Sequence, residues 1–469
     1  MSLNNLLKED ITNPLDCRIE GWRIDNGHVK YLLSCRRRVY PIKKWYLQKR
    51  YSDFFQLNES LKGYHSYLRL PGKKYFGNTN EAFISERLLH LQSFLNTIFS
   101  LPILYGNKNV WEFFGLEKGA IGDYKYWVLV LMRNQTKFHD DDSYFVECGW
   151  RGNKINYFYN SSKKGLKMLS WLPFGIDSLK NEKISNINEI LEFFSSLKLP
   201  FIYPVDSRWV DEKGIGCMRN VNCKGSLRDF VWNVKKPLDN FLHKYGSHKK
   251  CISLQLNDIK VIGRQVLETL IFFYSINYPF TDIHCGNIKT NDKVFYLFDI
   301  EFTLCGHSSI HRAGMLRSNS VKTIQDMMVF SFGNCLYEMF GGGIFFPDKN
   351  PDEGYKNLPD EAFQIFRSIF EPSNNTLPSL QQLFDNIFFD IPEYKKFENI
   401  DNVDVPKNIL TTLEKLKISI ESRLKEDREK LYQGGCSIQK DSYRLDKLIN
   451  YSRSVPSHCD DECSEKMAN

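Results

Sequence analysis

Asp282, Asn287 and Asp299 are the side chains of this 469-residue chain whose types and spacing point most directly to chemistry. Asn287 follows Asp282 by five positions, and Asp299 follows Asn287 by twelve. A carboxylate, an amide and a second carboxylate in one stretch suit a proton acceptor and two oxygen ligands for a divalent cation, which phosphoryl transfer requires. The same residue types also serve as turns and caps, bonding their own backbone. A second group is basic. Arg50, Tyr51 and Ser52, with Lys73 and Arg87, offer guanidinium and ammonium donors for phosphate, an aromatic face and a hydroxyl. Arg36, Arg37 and Arg38 form a basic run that fits a solvated strand end as well as a lipid contact.

The formal net charge of +7 is unevenly placed. The first 120 residues hold 18 Lys/Arg against 11 Asp/Glu, whereas the remaining 349 hold 45 of each sign. A basic front end suits an anionic membrane surface, nucleic acid or plain solvation. Nucleic acid has no motif to support it, and no nucleic-acid partner is expected. Hydrophobic residues make up 42% and charged residues 25%, an ordinary globular balance that excludes a collagen-like, rod-like or wholly disordered chain. No apolar run approaches the roughly 18 residues of a spanning helix, and the first ten residues, MSLNNLLKED, do not read as a signal peptide. Membrane contact is therefore expected to be peripheral. The 12 cysteines are scattered without a CxxC pair and read as free thiols; His458, Cys459 and Cys463 read as a loose tail.

These residues need elements to hold them. Short apolar stretches alternate with charge from Cys17 to about Leu57, which predicts a small antiparallel sheet. Phe83, Arg87, Leu88, Leu91, Leu95 and Ile98 recur at three and four, which predicts an amphipathic helix over 83–99. A second short helix is expected at 110–114, and the glycines of 119–122 make a join. A β-rich stretch is expected over 126–171 and a helix over 186–197. Beyond Leu256 helices dominate, over 257–277, over 321–340 (stopped by GGG at 341–343) and over 407–432.

Three pieces carry a resemblance: 49–54 (KRYSDF), 70–74 (LPGKK) and 83–87 (FISER). In order and spacing they resemble the PX domain of sorting nexins, over about residues 13–118. The resemblance implies phosphoinositide recognition. Arg50 would hold the 3-phosphate, Tyr51 would give the inositol ring an apolar face and Ser52 would donate a hydroxyl. Lys73 would meet the 1-phosphate, and Arg87 would hold the 4- and 5-hydroxyls. Tyr75 and Phe76 follow in a loop and suit either insertion at a headgroup boundary or packing in the core. One departure is the missing double proline before Pro71, where the run is YLRL.

The spacing of Asp282, Asn287 and Asp299 resembles a protein kinase catalytic loop followed by its metal-binding aspartate. Five further landmarks appear in kinase order at 199–203 (LPFIY), 224–229 (KGSLRD), 264–268 (RQVLE), 330–339 (FSFGNCLYEM) and 378–389. They imply a kinase-like fold over about 126–392. Several working parts are missing. The stretch 147–152 (ECGWRG) lacks GxGxxG spacing, and Ser170 stands where the phosphate-anchoring lysine belongs. Lys167 is three residues away and faces the other side of its strand. Phe280 and Thr281 replace His-Arg, Glu301 replaces the glycine of Asp-Phe-Gly and Met328 replaces the anchoring aspartate of the long buried helix.

The whole arrangement resembles the family of PX domain-containing serine/threonine kinase-like proteins, over about residues 13–432. The expected fold class is α+β. An N-terminal PX domain, with a three-stranded antiparallel sheet and helices, precedes a bilobal kinase-like domain and a helical tail. The expected layout is 1–12 flexible, 13–118 PX, 119–125 linker, 126–392 kinase-like and 393–469 a C-terminal helix with a flexible tail. The resemblance implies a phosphatidylinositol 3-phosphate-binding trafficking adaptor. It would act in the internalisation and sorting of membrane proteins, in the cytoplasm, on endosomes and secondarily at the plasma membrane. Its partners would be lipid and the tails of cargo or receptors. No cofactor would be required. Mg-ATP binding would be weak through Asn287 and Asp299, and the activity of Asp282 weak or absent. The competing reading is an active ATP-dependent kinase with a protein or small-molecule acceptor, since the same loops also resemble those of aminoglycoside and choline kinases.

Overall fold

The computed structural model describes residues 15–37, 44–61, 68–73, 79–115, 126–130, 143–148, 154–175, 184–245, 251–343, 358–397 and 403–433, apart from one to three positions within some of those spans. The expected flexible start, the linker 119–125, the tail beyond the last helix, Tyr75 and Phe76 lie outside the described residues.

The first unit begins with an antiparallel sheet of β1 (Leu15–Asp25), β2 (His28–Arg37) and β3 (Lys44–Arg50). Asn26 and Gly27 close the first hairpin, both with positive φ (49° and 74°), the requirement of a two-residue turn that matches strand twist. The period changes after Arg50. Helix Tyr51–Ser60 starts at once, and its Asp53 side chain accepts from the Arg50 backbone N–H at 2.7 Å. Helix Glu81–Ser100 buries Ile84, Leu91, Leu95 and Ile98 in one core with Tyr31 and Leu33 of the sheet and Phe54 of helix Tyr51–Ser60.

The second unit opens differently from the β-rich expectation: 128–130 are helical, with Val128 buried, and among the described residues its first strand is Ser143–Phe145. An antiparallel sheet follows in the order β4-β5-β6-β8-β7, built from β4 (Ser143–Phe145), β5 (Ile155–Ser161), β6 (Gly165–Pro173), β7 (Ser207–Val210) and β8 (Gly214–Asn220). Helix Ile184–Ser196 joins β6 to β7 and buries Ile187, Ile190, Leu191 and Phe194. The second lobe is helical. Leu256–Ser275 leads to the loop that carries Asp282, and the small hairpin β9 (Ile288–Asn291) and β10 (Val294–Leu297) follows. Ile324–Met339 starts on a Thr323/Asp326 capping box and is buried on nearly every side, as expected of an axial helix around which the others pack. Asp360–Phe370 and Leu380–Phe384 pack around it.

The last helix, Lys407–Gln433, is charged outside but apolar along one stripe. Ile409, Leu413, Leu416, Ile420 and Leu424 recur at three and four and enter the same core as the axial helix. The core of the second unit thus runs on past residue 392. The fold class is the α+β arrangement expected, ending in a helix. The first unit's core is not sealed from the second: Phe241, Tyr245 and Ile310 belong to it.

Candidate functional site

The basic site of the first unit is built where the start of helix Tyr51–Ser60, the segment 71–73 and helix Glu81–Ser100 meet. Arg87 is buried at 6% exposure. Its guanidinium lies between two rings, 4.3 Å from the Tyr51 centroid and 4.2 Å from that of Phe83. It also donates to the Gly72 carbonyl at 3.4 Å, while the Tyr51 hydroxyl donates to the carbonyl of Pro71. Burial raises the Tyr51 pKa, with Arg87 opposing, and the same balance of burial against Arg87 acts on Tyr31. Tyr51, Arg87 and the segment bearing Lys73 therefore form one constellation. Lys73 and Ser52 are exposed. Arg50 is exposed at the end of β3, in register with Lys30. Arg36 is ion-paired to Asp16, with Nη2 2.5 Å from Oδ2, which fits the reading as a strand-end charge.

The cleft of the second unit gathers Asp282, Asn287 and Asp299. Asp282 is buried; its Oδ1 accepts from the Ile310 backbone N–H at 3.1 Å, and His284 Nε2 stands 3.7 Å from Oδ2. The Asn287 side chain donates to the Asp282 carbonyl and accepts from the His284 N–H at 3.1 Å, so both its polar atoms brace the loop. A Cβ at Gly286 would fall 2.7 Å from Arg228 Nη1 and 2.9 Å from His284 Nδ1, so a larger residue there would displace one of these side chains. Arg228 in turn pairs with Glu338 of the axial helix, its Nη2 2.9 Å from Oε2. With Met328 in place of an anchoring acid, Ser331 bonds the loop instead, Oγ to the Thr281 carbonyl at 2.6 Å.

Asp299 adopts φ +59°, a left-handed conformation that costs a non-glycine residue energy and that the surrounding bonds enforce. Its Oδ2 is paired with Lys154 Nζ, and its Oδ1 lies 3.8 Å from Arg219 Nη1. Burial opposes the Asp299 charge, yet Lys154 and Arg219 prevail and hold its carboxyl below the ordinary value. Glu301 is fully buried, 2.7 Å from Arg219 Nη2 and 4.0 Å from Arg208 Nε. Burial opposes the Arg219 charge as well, but Glu301, with Cys217 and Asp299, raises its pKa.

Lys154, Arg208 and Arg219 escape sequence reasoning. Ser170 is fully buried, its Oγ 3.2 Å from Asn156 Oδ1, and Lys167 pairs with Asp206. The lysine that reaches Asp299 stands immediately before the strand next door, β5. Asn156 is the register partner of Ser170, and Lys154 lies two residues before it, just ahead of β5. The signal available was a lysine at i−2 from the residue opposite the serine, which requires the register to be known.

The PX domain family model matches residues 38–117. Over 440 residues the chain is 29% identical to the "PX domain-containing protein kinase-like protein" of Rattus norvegicus, covering 90% of this chain and 73% of that one. It is 31% identical over 183 residues to the "Probable inactive serine/threonine-protein kinase slob2" of Dictyostelium discoideum, covering 38% of this chain and 29% of that one. It is 28% identical over 216 residues to the "Slowpoke-binding protein" of Drosophila melanogaster, covering 41% and 40% of the two chains.

Proposed function

We propose that this chain, which joins a PX domain to a kinase-like unit, binds phosphatidylinositol 3-phosphate on endosomal membranes and uses the kinase-like unit as a docking scaffold in the internalisation and sorting of membrane proteins. The observation that carries the lipid half is the stacked Arg87, fixed between Tyr51 and Phe83 beside the segment that bears Lys73. A guanidinium locked by two rings loses little freedom on meeting hydroxyls or phosphate, so its donors are prepaid for recognition. Arg50, exposed at the rim, is the cation that would take the 3-phosphate. The absence of any helix long and apolar enough to cross a membrane, among the described residues, fits peripheral attachment. The scaffold half is supported by the names of two relatives, the "Probable inactive serine/threonine-protein kinase slob2" and the "Slowpoke-binding protein". It is supported also by the bonds that Asp282, Asn287 and one oxygen of Asp299 make within the protein.

The test is vesicle flotation with phosphatidylinositol 3-phosphate beside its 4-phosphate and 4,5-bisphosphate counterparts. Arg50→Ala is expected to lose about ten- to a hundredfold in affinity, the worth of one charged hydrogen-bond set. Undiminished binding by the variant would refute the assignment.

A further inference from the structure

The buried charges around Asp299 form a chain. Lys154 pairs with Asp299 Oδ2, Arg219 faces Asp299 Oδ1 at 3.8 Å and Glu301 at 2.7 Å, and Arg208 closes the line on Glu301 at 4.0 Å. Three cations thus surround two carboxylates. A kinase fold implies a magnesium ion at this aspartate and at the loop asparagine, bridging nucleotide phosphates. The donor set here does not fit one. Magnesium, in near-octahedral array at about 2.0–2.1 Å, takes at least one or two open carboxylate oxygens beside its waters and phosphates. One Asp299 oxygen is taken by an ammonium; the other makes no hydrogen bond but faces a guanidinium at 3.8 Å, and Asn287 Oδ1 already accepts a backbone N–H. A divalent ion at Asp299 would bring two more positive charges into a buried pocket that is cationic already, where repulsion is weakly screened.

We propose that Lys154 and Arg219 are a built-in replacement for the divalent cation, so that this cleft seats no magnesium or manganese. The side chains supply internally the positive charge that the fold otherwise takes from solution. Lys154 is the residue to change, because it is 18% exposed whereas Arg219 is sealed at 1%.

The experiment uses the full chain without lipid, so its outcome is independent of the phosphoinositide reading. Thermal unfolding and manganese paramagnetic resonance are recorded with Mg²⁺ or Mn²⁺ alone, with ATP in EDTA, and with each metal plus ATP. The wild type is expected to give the same Tm with and without either metal in every arm and to leave the free-manganese signal undiminished. Lys154→Met is expected to lower Tm by about 5 °C or more and to recover it saturably with Mg²⁺ or Mn²⁺, because the freed carboxylate now takes the metal. The double change Lys154→Met with Asp299→Asn is expected to remove that recovery. A saturable wild-type response to metal that Asp299→Asn abolishes would overturn the proposal. So would a Lys154→Met protein whose Tm no divalent ion restores. If Lys154→Met does not fold, the wild-type resonance titration against Asp299→Asn decides alone.

Discussion

Asp299 keeps its charge inside the protein because Lys154 and Arg219 answer it, and this makes stability depend on pH in a fixed direction. Its folded pKa lies below the unfolded value of about 3.9. The stability it contributes is therefore full above that value and is lost as pH falls through the folded pKa. Urea unfolding of wild type and Asp299→Asn is expected to show a gap in stability that is wide above about pH 4 and closes on acidification. A gap that stays constant through the acid range would show that the carboxylate is not what the two cations hold. Asp282, Asn287 and Asp299 were legible in the sequence because they lie in one continuous stretch, where order and spacing survive as a pattern. Lys154 was not, since it acts from 145 residues before Asp299 and no motif marks it. Arg87 was legible as a ligand candidate, but not as a side chain stacked between two rings, which only the packing of helix on sheet creates.

The elements repeat that lesson. The axial helix and its glycine stop could be read from composition and the GGG that follows, and they stand at Ile324–Met339. The terminal helix Lys407–Gln433 could be read as a helix but not placed, because its apolar stripe has no label for the surface it meets. It lies along both lobes. Asn408 donates to Glu189 of helix Ile184–Ser196 at 2.6 Å. At the far end Asp427 pairs with buried Arg312, and Arg428 donates to the carbonyls of Met315, Ser318 and Val321. These carbonyls belong to the segment after Asp299, so one arginine fixes the course of a loop that kinases leave free to reorder. Asp427→Ala would leave Arg312 and Arg423 buried without their shared anion. The expected cost is about 3–5 kcal/mol in denaturant unfolding. Hydrogen exchange should speed up across 315–321 in the same variant, and unchanged protection there would separate the clamp from the helix.

On the scale of the molecule, the two units share apolar contacts through Phe241, Tyr245 and Ile310. Ile310 has a double position. Its side chain lies in the first unit's core while its backbone N–H holds the Asp282 carboxylate. Ile310→Ala is expected to cost about 2–5 kcal/mol as a large-to-small core change. Calorimetry should show the loss in the transition that melts the PX domain as well as in that of the kinase-like unit. A PX transition left where it was would mean that the contact is superficial. The sequence placed the two units in order along the chain, but nothing in it revealed that they touch, since contacts between distant segments leave no local period.

That shared core carries a geometric consequence. Two bodies joined through buried side chains turn together, so a vesicle that grips the Arg87 site also sets the compass bearing of everything behind it. The Lys407–Gln433 helix would then stand at one repeatable tilt and height above the lipid, like a signpost planted in its footing.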